Sequence, residues 1–386
     1  MILPRLLGMR FFQSANLLGV ILTLYYRAHG LNYVQILSFE IVLSLTMALT
    51  TVPLGVWADR HGRAAALKGG SLLFLLAALA FLAARVYWQF VVCDALYGLG
   101  FAWQSEADTA LLVPGGAAWF ARDQAVAAAA GLSSSLVAGW LLETNGMHVL
   151  VVLNVVTALL ASAVTLTLPA DARRAPVPVP APARQVTRAV GAIRGAPWVV
   201  AWTLAGTVAF RLVGINLMFW DLPLWVQHGW HGLWLGLGVA TLSAAGWASL
   251  LSPAARRRLG PRTVLTLTQV AMGILVAALP LLGSPWGLTL AMAAALACQS
   301  WQRPIADAAI TAAIPEPLRV SVLSMLDLPA LAVTIVAEVG VGLLGDAHLA
   351  WALFASGGLL AATTPLWWVR GPTGHVGPEA PVARSA

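Results

Sequence analysis

Charge is what this sequence has least of. Of its 386 residues, 10% are Asp, Glu, Lys or Arg, where a soluble domain carries about 25%. So small a supply cannot cover a water-facing surface on a chain of this length, and a soluble globular enzyme is excluded. Cysteine is equally scarce: Cys93 and Cys298 both sit within long apolar runs, so no disulfide framework follows from them. All seven histidines fall in loops or at the ends of apolar runs, and no nucleophile stands beside a base. An enzyme is therefore not expected, nor a cofactor or a metal. His228 and His231 with Asp221 are the nearest thing to a metal set, and an ordinary loop at a membrane surface is the simpler account of them.

Apolar residues are abundant, with 60% of the chain in the AVILMFWYC class. A helix crosses a bilayer with roughly 20 mainly apolar residues. Such runs stand at about 6–26, 33–56, 65–84, 87–112, 122–142 and 148–168. After a break they resume at about 198–221, 232–252, 264–283, 286–312, 320–344 and 349–369. None shows the short alternating segments of a membrane β-barrel. Arg10, Gln13 and Asn16 interrupt the first run, and no small-residue cleavage pattern follows it, so it is expected to be a retained helix rather than a secretion signal. The expected fold is an all-α membrane protein of twelve transmembrane helices. Residues 1–168 would form one six-helix bundle, 198–369 a second, 169–197 a cytoplasmic linker and 370–386 a tail. The linker holds the segment PVPVPAPAR, which favours extended chain, and then a stretch with Val186, Val190 and Ile193 on one face, fit to lie on a membrane surface.

The formal charge of +7 would suggest nucleic acid as a partner of a soluble protein. Its distribution gives another reason. With the N-terminus inside, 17 of the 22 Lys and Arg fall in cytoplasmic segments, and only Arg27 and Arg85 lie outside. That is the asymmetry that orients membrane proteins. Both termini are therefore expected on the cytoplasmic side of an inner or plasma membrane, with the lipid bilayer as partner and no nucleic acid.

Between the second and third runs stands GVWADRHGR, Gly55 to Arg63. It resembles the loop signature of the major facilitator superfamily, a glycine, three residues, then Asp-Arg-x-Gly-Arg. Gly55, Asp59, Arg60, Gly62 and Arg63 match it, at the same place in the topology. Arg319-Val-Ser-Val-Leu-Ser likewise resembles the loop that opens the eleventh span there. The resemblance implies two pseudo-symmetric six-helix bundles, with spans one, four, seven and ten lining a cavity. It also implies a cytoplasmic latch, in which Asp59 faces the start of span eleven and Arg63 meets a carboxylate, Glu106 or Asp108, at the end of span four. Gly62 would supply the turn with φ > 0. The second half echoes the first: Gly260 follows Gly62 by 198 positions, with arginine in place of the aspartate, and Ala306-Asp307-Ala308-Ala309 follows Ala107-Asp108-Thr109-Ala110 by 199. One departure matters. Span five of the proton-coupled drug exporters carries a Gly-Pro pair, and here it reads AAAAGLSSSLVAGW.

Charges inside the apolar runs are costly and turn toward a partner or a cavity. Span one has Arg10, span two Glu40, span four Asp94, span seven Arg211, span ten Arg303 and Asp307, and span eleven Asp327 and Glu338. The interiors of spans three, six, nine and twelve have none, which makes every third helix the lipid-facing one. Asp94, Glu40 and Glu338 are candidate proton carriers, with Asp94 favoured, and Arg211 is either its partner or the binder of an anionic group. Arg303 and Asp307, four apart, can pair on one face. Gln13, Asn16, Asn216, Gln299 and Gln302 can supply neutral hydrogen bonds. Trp88, Trp119, Trp198, Trp230, Trp286, Trp367 and Trp368 lie near span ends, where interfacial anchoring is expected.

These readings converge on a monomeric secondary transporter of a small solute working by alternating access, without a Walker-type phosphate loop and with proton-coupled efflux of an amphipathic compound as the leading subtype. The alternatives are a uniporter or importer of an organic or anionic solute, and a membrane sensor with the same fold, which would be expected to carry a larger soluble appendage than the ends seen here.

Overall fold

The computed structural model describes residues 3–15, 17–112, 116–169, 190–191, 193–215, 217–251, 258–314 and 319–369. Every regular element among them is helical. In chain order the first half has a bent helix, Leu3–Ser14 continued by Leu22–Ala28 at an angle of 47°. It is followed by Tyr33–His61, Arg63–Ala83, Tyr87–Leu112, Gly116–Asn145 and Met147–Leu166. The second half has Pro197–Gln227, Leu233–Ala245, Pro261–Ala278, Pro285–Ala313, Arg319–Ala347 and Leu349–Thr363. Eight of these are long and apolar enough to cross a membrane, nine with the bent first pair. Of the others, Tyr87–Leu112 and Pro285–Ala313 carry internal charges, and the helix from Leu233 is short. Spans one to twelve are these helices in chain order. Of the linker, residues 190–191 and 193–195 are helical; 170–189 and 192 lie outside the described residues.

One residue, Gly62, separates the second helix from the third. Its φ of +102° is open to glycine and costly to any side chain, so the chain reverses there without a loop. Gly260, with φ +77°, opens the ninth span the same way. These turns mark the basic end of the bundle; the opposite end is the far end.

The first six helices pack mainly on one another, as do the last six, and the two sets meet along three seams: span five on eight, span two on eleven, and the far segments of one and seven. The five–eight seam is close because it is built from glycine. A Cβ placed on Gly236 would fall 2.5 Å from the Ser135 carbonyl and 2.9 Å from the Gly139 Cα, the small-residue approach that lets helices associate in lipid. Spans three, six, nine and twelve turn apolar side chains outward, among them Leu76, Leu159, Ile274 and Trp351. Spans two, five and eleven do so as well, among them Leu49, Trp140 and Val336.

The two halves repeat one polar motif at a separation of 198 residues. In the first, the Gln104 amide donates to the Ser71 hydroxyl (3.0 Å) and the Leu67 carbonyl (3.4 Å), and Ser71 donates to Thr165 (3.0 Å). In the second, Gln302 donates to Gln269 (2.6 Å) and to the Leu265 carbonyl (3.4 Å), and Gln269 donates to Thr363 (2.8 Å). Each of these four positions has its twin 198 residues on. This register sets Ala306 opposite Asp108, so the Ala-Asp echo, at 199, is one residue out of step with the hydrogen bonds.

The tryptophans divide. Trp88 and Trp368 are exposed at span ends as expected, and Trp286 partly so. Trp198, Trp230 and Trp367 are buried instead, because they pack on other indoles. Trp202 lies 4.9 Å from Trp198 and 5.6 Å from Trp367, and Trp230 lies 5.6 Å from Trp225. Trp119 is outside the described side chains.

Candidate functional site

The seventh span is not a regular helix through its middle. Residues Phe210–Ile215 form a π-helical turn between Pro197–Ala209 and Leu217–Gln227. Such a turn inserts an extra residue per turn, re-aims the side chains on it, and is frequent at functional positions. Arg211 sits on it, buried at 6% exposure. Its Nη1 lies 3.3 Å from Glu40 Oε1 on span two and 3.4 Å from Glu338 Oε1 on span eleven. One guanidinium on the second half thus holds a carboxylate from each half. Burying an ion costs several kcal/mol unless a partner is present, so these three charges are kept by their mutual geometry.

The partners differ from the one that depth along the helices puts first. Depth favours Asp94 for Arg211, and the two residues found beside the guanidinium are Glu40 and Glu338. Asp94 stands on span four, Tyr87–Leu112, in the first half. Two carboxylate oxygens, Asp94 Oδ2 and Glu338 Oε2, are buried and have no hydrogen-bond partner among the described residues. Glu338 is 0% exposed. Around Glu40, the Ser44 hydroxyl donates to Oε1 at 3.1 Å.

Toward the basic end the other charges pair locally. Arg10 meets Asp123 of span five at 3.3 Å. Asp123 is a functional candidate that sequence reasoning misses, because beside Arg122 it looks like a loop residue. Arg303 and Asp307 pair at 3.7 Å along span ten, the expected spacing, and the Arg303 guanidinium lies 4.4 Å from the centre of the Phe210 ring. Their side chains are 58% and 66% exposed. Both lie toward the basic end of the helix Pro285–Ala313. Gln13 is drawn into the first-half network, donating to Gln104 at 3.1 Å and Ser71 at 3.4 Å.

At the far end the seams are closed by hydrogen bonds between the halves. Asp346, at the end of span eleven, accepts the Tyr33 and Val34 amides of span two at 2.6 and 3.3 Å. Glu143 of span five accepts the Leu233 amide of span eight at 3.4 Å. Asp221 is buried and accepts the adjacent Leu222 amide at 2.6 Å, so it does not join the loop histidines. The loop motif is placed only incompletely. Gly55 lies in the second helix, Gly62 at the turn and Arg63 at the head of the third. The side chains of Asp59, Arg60, Glu106, Asp108 and Asp327, and residues Asn16 and Asn216, lie outside what is described.

Structural comparison places this architecture among solute carriers. A variant of the nucleoside transporter NupG superposes with a TM-score of 0.81 at 13% identity, over 95% of this chain and 99% of the other. The D-xylose–proton symporter gives 0.74 at 14% identity, over 96% and 97%. A bacterial homolog of the human lysosomal transporter Spinster, in an inward-facing and unoccupied conformation, gives 0.68 at 16%, over 95% and 94%. At these identities the likeness concerns the fold alone. No curated protein is significantly similar in sequence. The profile of the Major Facilitator Superfamily matches residues 6–298, about three quarters of the chain, and the protein therefore belongs to that superfamily of membrane transporters.

Proposed function

We propose that the chain is a proton-coupled exporter of an amphipathic solute, working by alternating access between two moving bodies, residues 1–168 and 198–369. The observation that carries this reading is the placement of Arg211 between Glu40 of one body and Glu338 of the other. Of the two ion pairs only Arg211–Glu40 joins the two bodies, so a rocking motion about the seams acts on that one, and a carboxylate released from its arginine in an apolar site favours its protonated form. Proton uptake and opening are thereby tied to the same bond.

The basic residues support a cytoplasmic basic end. With that orientation the exposed Arg303–Asp307 pair lies toward the cytoplasm while the bonds of Asp346 and Glu143 close the outside. The arginine is already engaged by two carboxylates, which weakens the anionic-solute alternative.

The test is a solute screen in proteoliposomes with and without an imposed pH gradient. Expected is gradient-driven movement of at least one amphipathic solute, lost in Glu40→Gln. Transport indifferent to the gradient in wild type would leave a uniporter, and no movement of any solute would leave the sensor reading.

A further inference from the structure

A cavity of about 470 Å³ lies at the far end of the bundle, and Arg211 is not on its wall. Both halves line it. The first gives Arg27, from the last turn of Leu22–Ala28, and Tyr33, from the first turn of span two. The second gives the ends of spans seven and eleven, the chain just past span nine and the start of span twelve, with His228, Asp346 and His348 as the ionisable side chains. Small-molecule sites have this size, and a wall shared by two halves is complete only while they touch.

The charges on that wall are unevenly satisfied. Asp346 commits both oxygens to the Tyr33 and Val34 amides, at 2.6 and 3.3 Å, where a helix start is itself electropositive. Arg27 has no such answer. Its guanidinium lies 5.0 Å from the centre of the Tyr33 ring, and Nη1 donates to the Leu31 carbonyl at 3.1 Å. Among the described residues it pairs with no carboxylate, so most of its donors are left for a ligand. His228 Nδ1 lies 2.8 Å from the Leu224 carbonyl, which can only accept; Nδ1 is therefore the donor, and Nε2 is left over. Leu224, Leu279, Pro280 and Leu353 add an apolar floor.

These features select a chemistry. Among the described residues no three His, Cys, Asp or Glu are grouped to hold a metal. An organic cation would meet Arg27 and find the one carboxylate on the wall already taken. A bare inorganic anion would leave the apolar floor uncovered. An organic anion meets both the planar fork of free N–H groups and the floor.

We infer that this cavity takes a small organic acid, its carboxylate held by Arg27 and its apolar body against the second half, and that the bound acid holds the far end closed. The site is separate from the charges around Arg211. A ligand that fits only the closed arrangement raises its population by the factor by which closure raises affinity.

The test uses three probes of one shape and different charge, 1-naphthoate, 1-naphthamide and 1-naphthamidine, with inorganic phosphate as a bare anion. Each is titrated calorimetrically into purified protein in uncharged detergent. Expected is naphthoate binding about tenfold or more tighter than the amide, with the amidine and phosphate weaker still. Arg27→Gln should remove that preference and Arg27→Lys should restore part of it. Ala350→Phe, which fills the cavity with Arg27 in place, should weaken naphthoate as well. Double electron–electron resonance between labels at the exposed positions Trp88 and Leu290, in a background without Cys93 and Cys298, should show the short-distance population rising with naphthoate in wild type and not in Arg27→Gln. No naphthoate binding, equal binding of the amide, amidine or phosphate, or undiminished binding by Arg27→Gln would each overturn the inference. So would a distance distribution unmoved by saturating naphthoate. If a variant does not fold, the charge series on wild type decides. The gradient screen in proteoliposomes stands or falls separately.

Discussion

The Asp346 carboxylate accepts the Tyr33 amide at 2.6 Å, so the last turn of span eleven caps the first turn of span two across the halves. The cap is complete. Asn32 accepts the Gln35 amide at 2.9 Å, Gln35 accepts the Asn32 amide at 3.0 Å, and Asp346 takes the two amides between them. Four donors that a helix start leaves bare are satisfied, two of them only while the halves touch at this end.

Asp346→Ala should therefore loosen the far end. Loss of a capping carboxylate costs about 1 kcal/mol, a shift of about fivefold between closed and open populations. Double electron–electron resonance between labels at Val86 and Leu281, in a background without Cys93 and Cys298, should show more of the long-distance population. An unchanged distribution would rule out Asp346 as a seal.

Arg211→Ala should be harsher. It leaves Glu40 and Glu338 facing each other without a counter-ion, and stranding a buried partner costs about 3–5 kcal/mol. A marked fall in melting temperature in detergent is expected, with much of it restored by adding Glu40→Gln and Glu338→Gln. If the triple variant melts no higher than the single one, the three residues do not act as a unit.

Gly236→Leu should force spans five and eight apart, since even a Cβ there overlaps the Ser135 carbonyl. Insertion should be normal, and cross-linking between cysteines flanking positions 135 and 236 should fall sharply. Efficient cross-linking would show that the seam tolerates bulk.

Gly62→Ala places a side chain at φ +102°, a strain of about 1–3 kcal/mol. Melting temperature should drop while expression persists. Asp59→Asn, three positions earlier, should leave melting unchanged and slow turnover in proteoliposomes; wild-type turnover would remove Asp59 from the latch.

Much of this is legible in the sequence. Run length and charge scarcity point to the helices. Glu40, Arg211 and Glu338 are each legible as buried charges. Their pairing is not, because sequence gives depth along a helix but not its rotation about its own axis, and the π-helical turn alters that rotation at Arg211. Asp346 escapes notice as a residue near a loop. A carboxylate at a helix C-terminus opposes the helix dipole, and that oddity is the signal that it has a partner elsewhere. The indoles at 198, 230 and 367 mislead because position near a span end does not reveal whether a second ring waits to cover them.

The paired networks carry a practical consequence. Since Gln104 and Gln302, Ser71 and Gln269, and Thr165 and Thr363 are counterparts, any substitution made in one half comes with a built-in control in the other. Gln13 and Arg211 stand in the same relation, 198 residues apart, on the first helix of each half. There the twins diverge from amide to guanidinium. Exchanging the two side chains is a direct way to ask what that difference between the halves does.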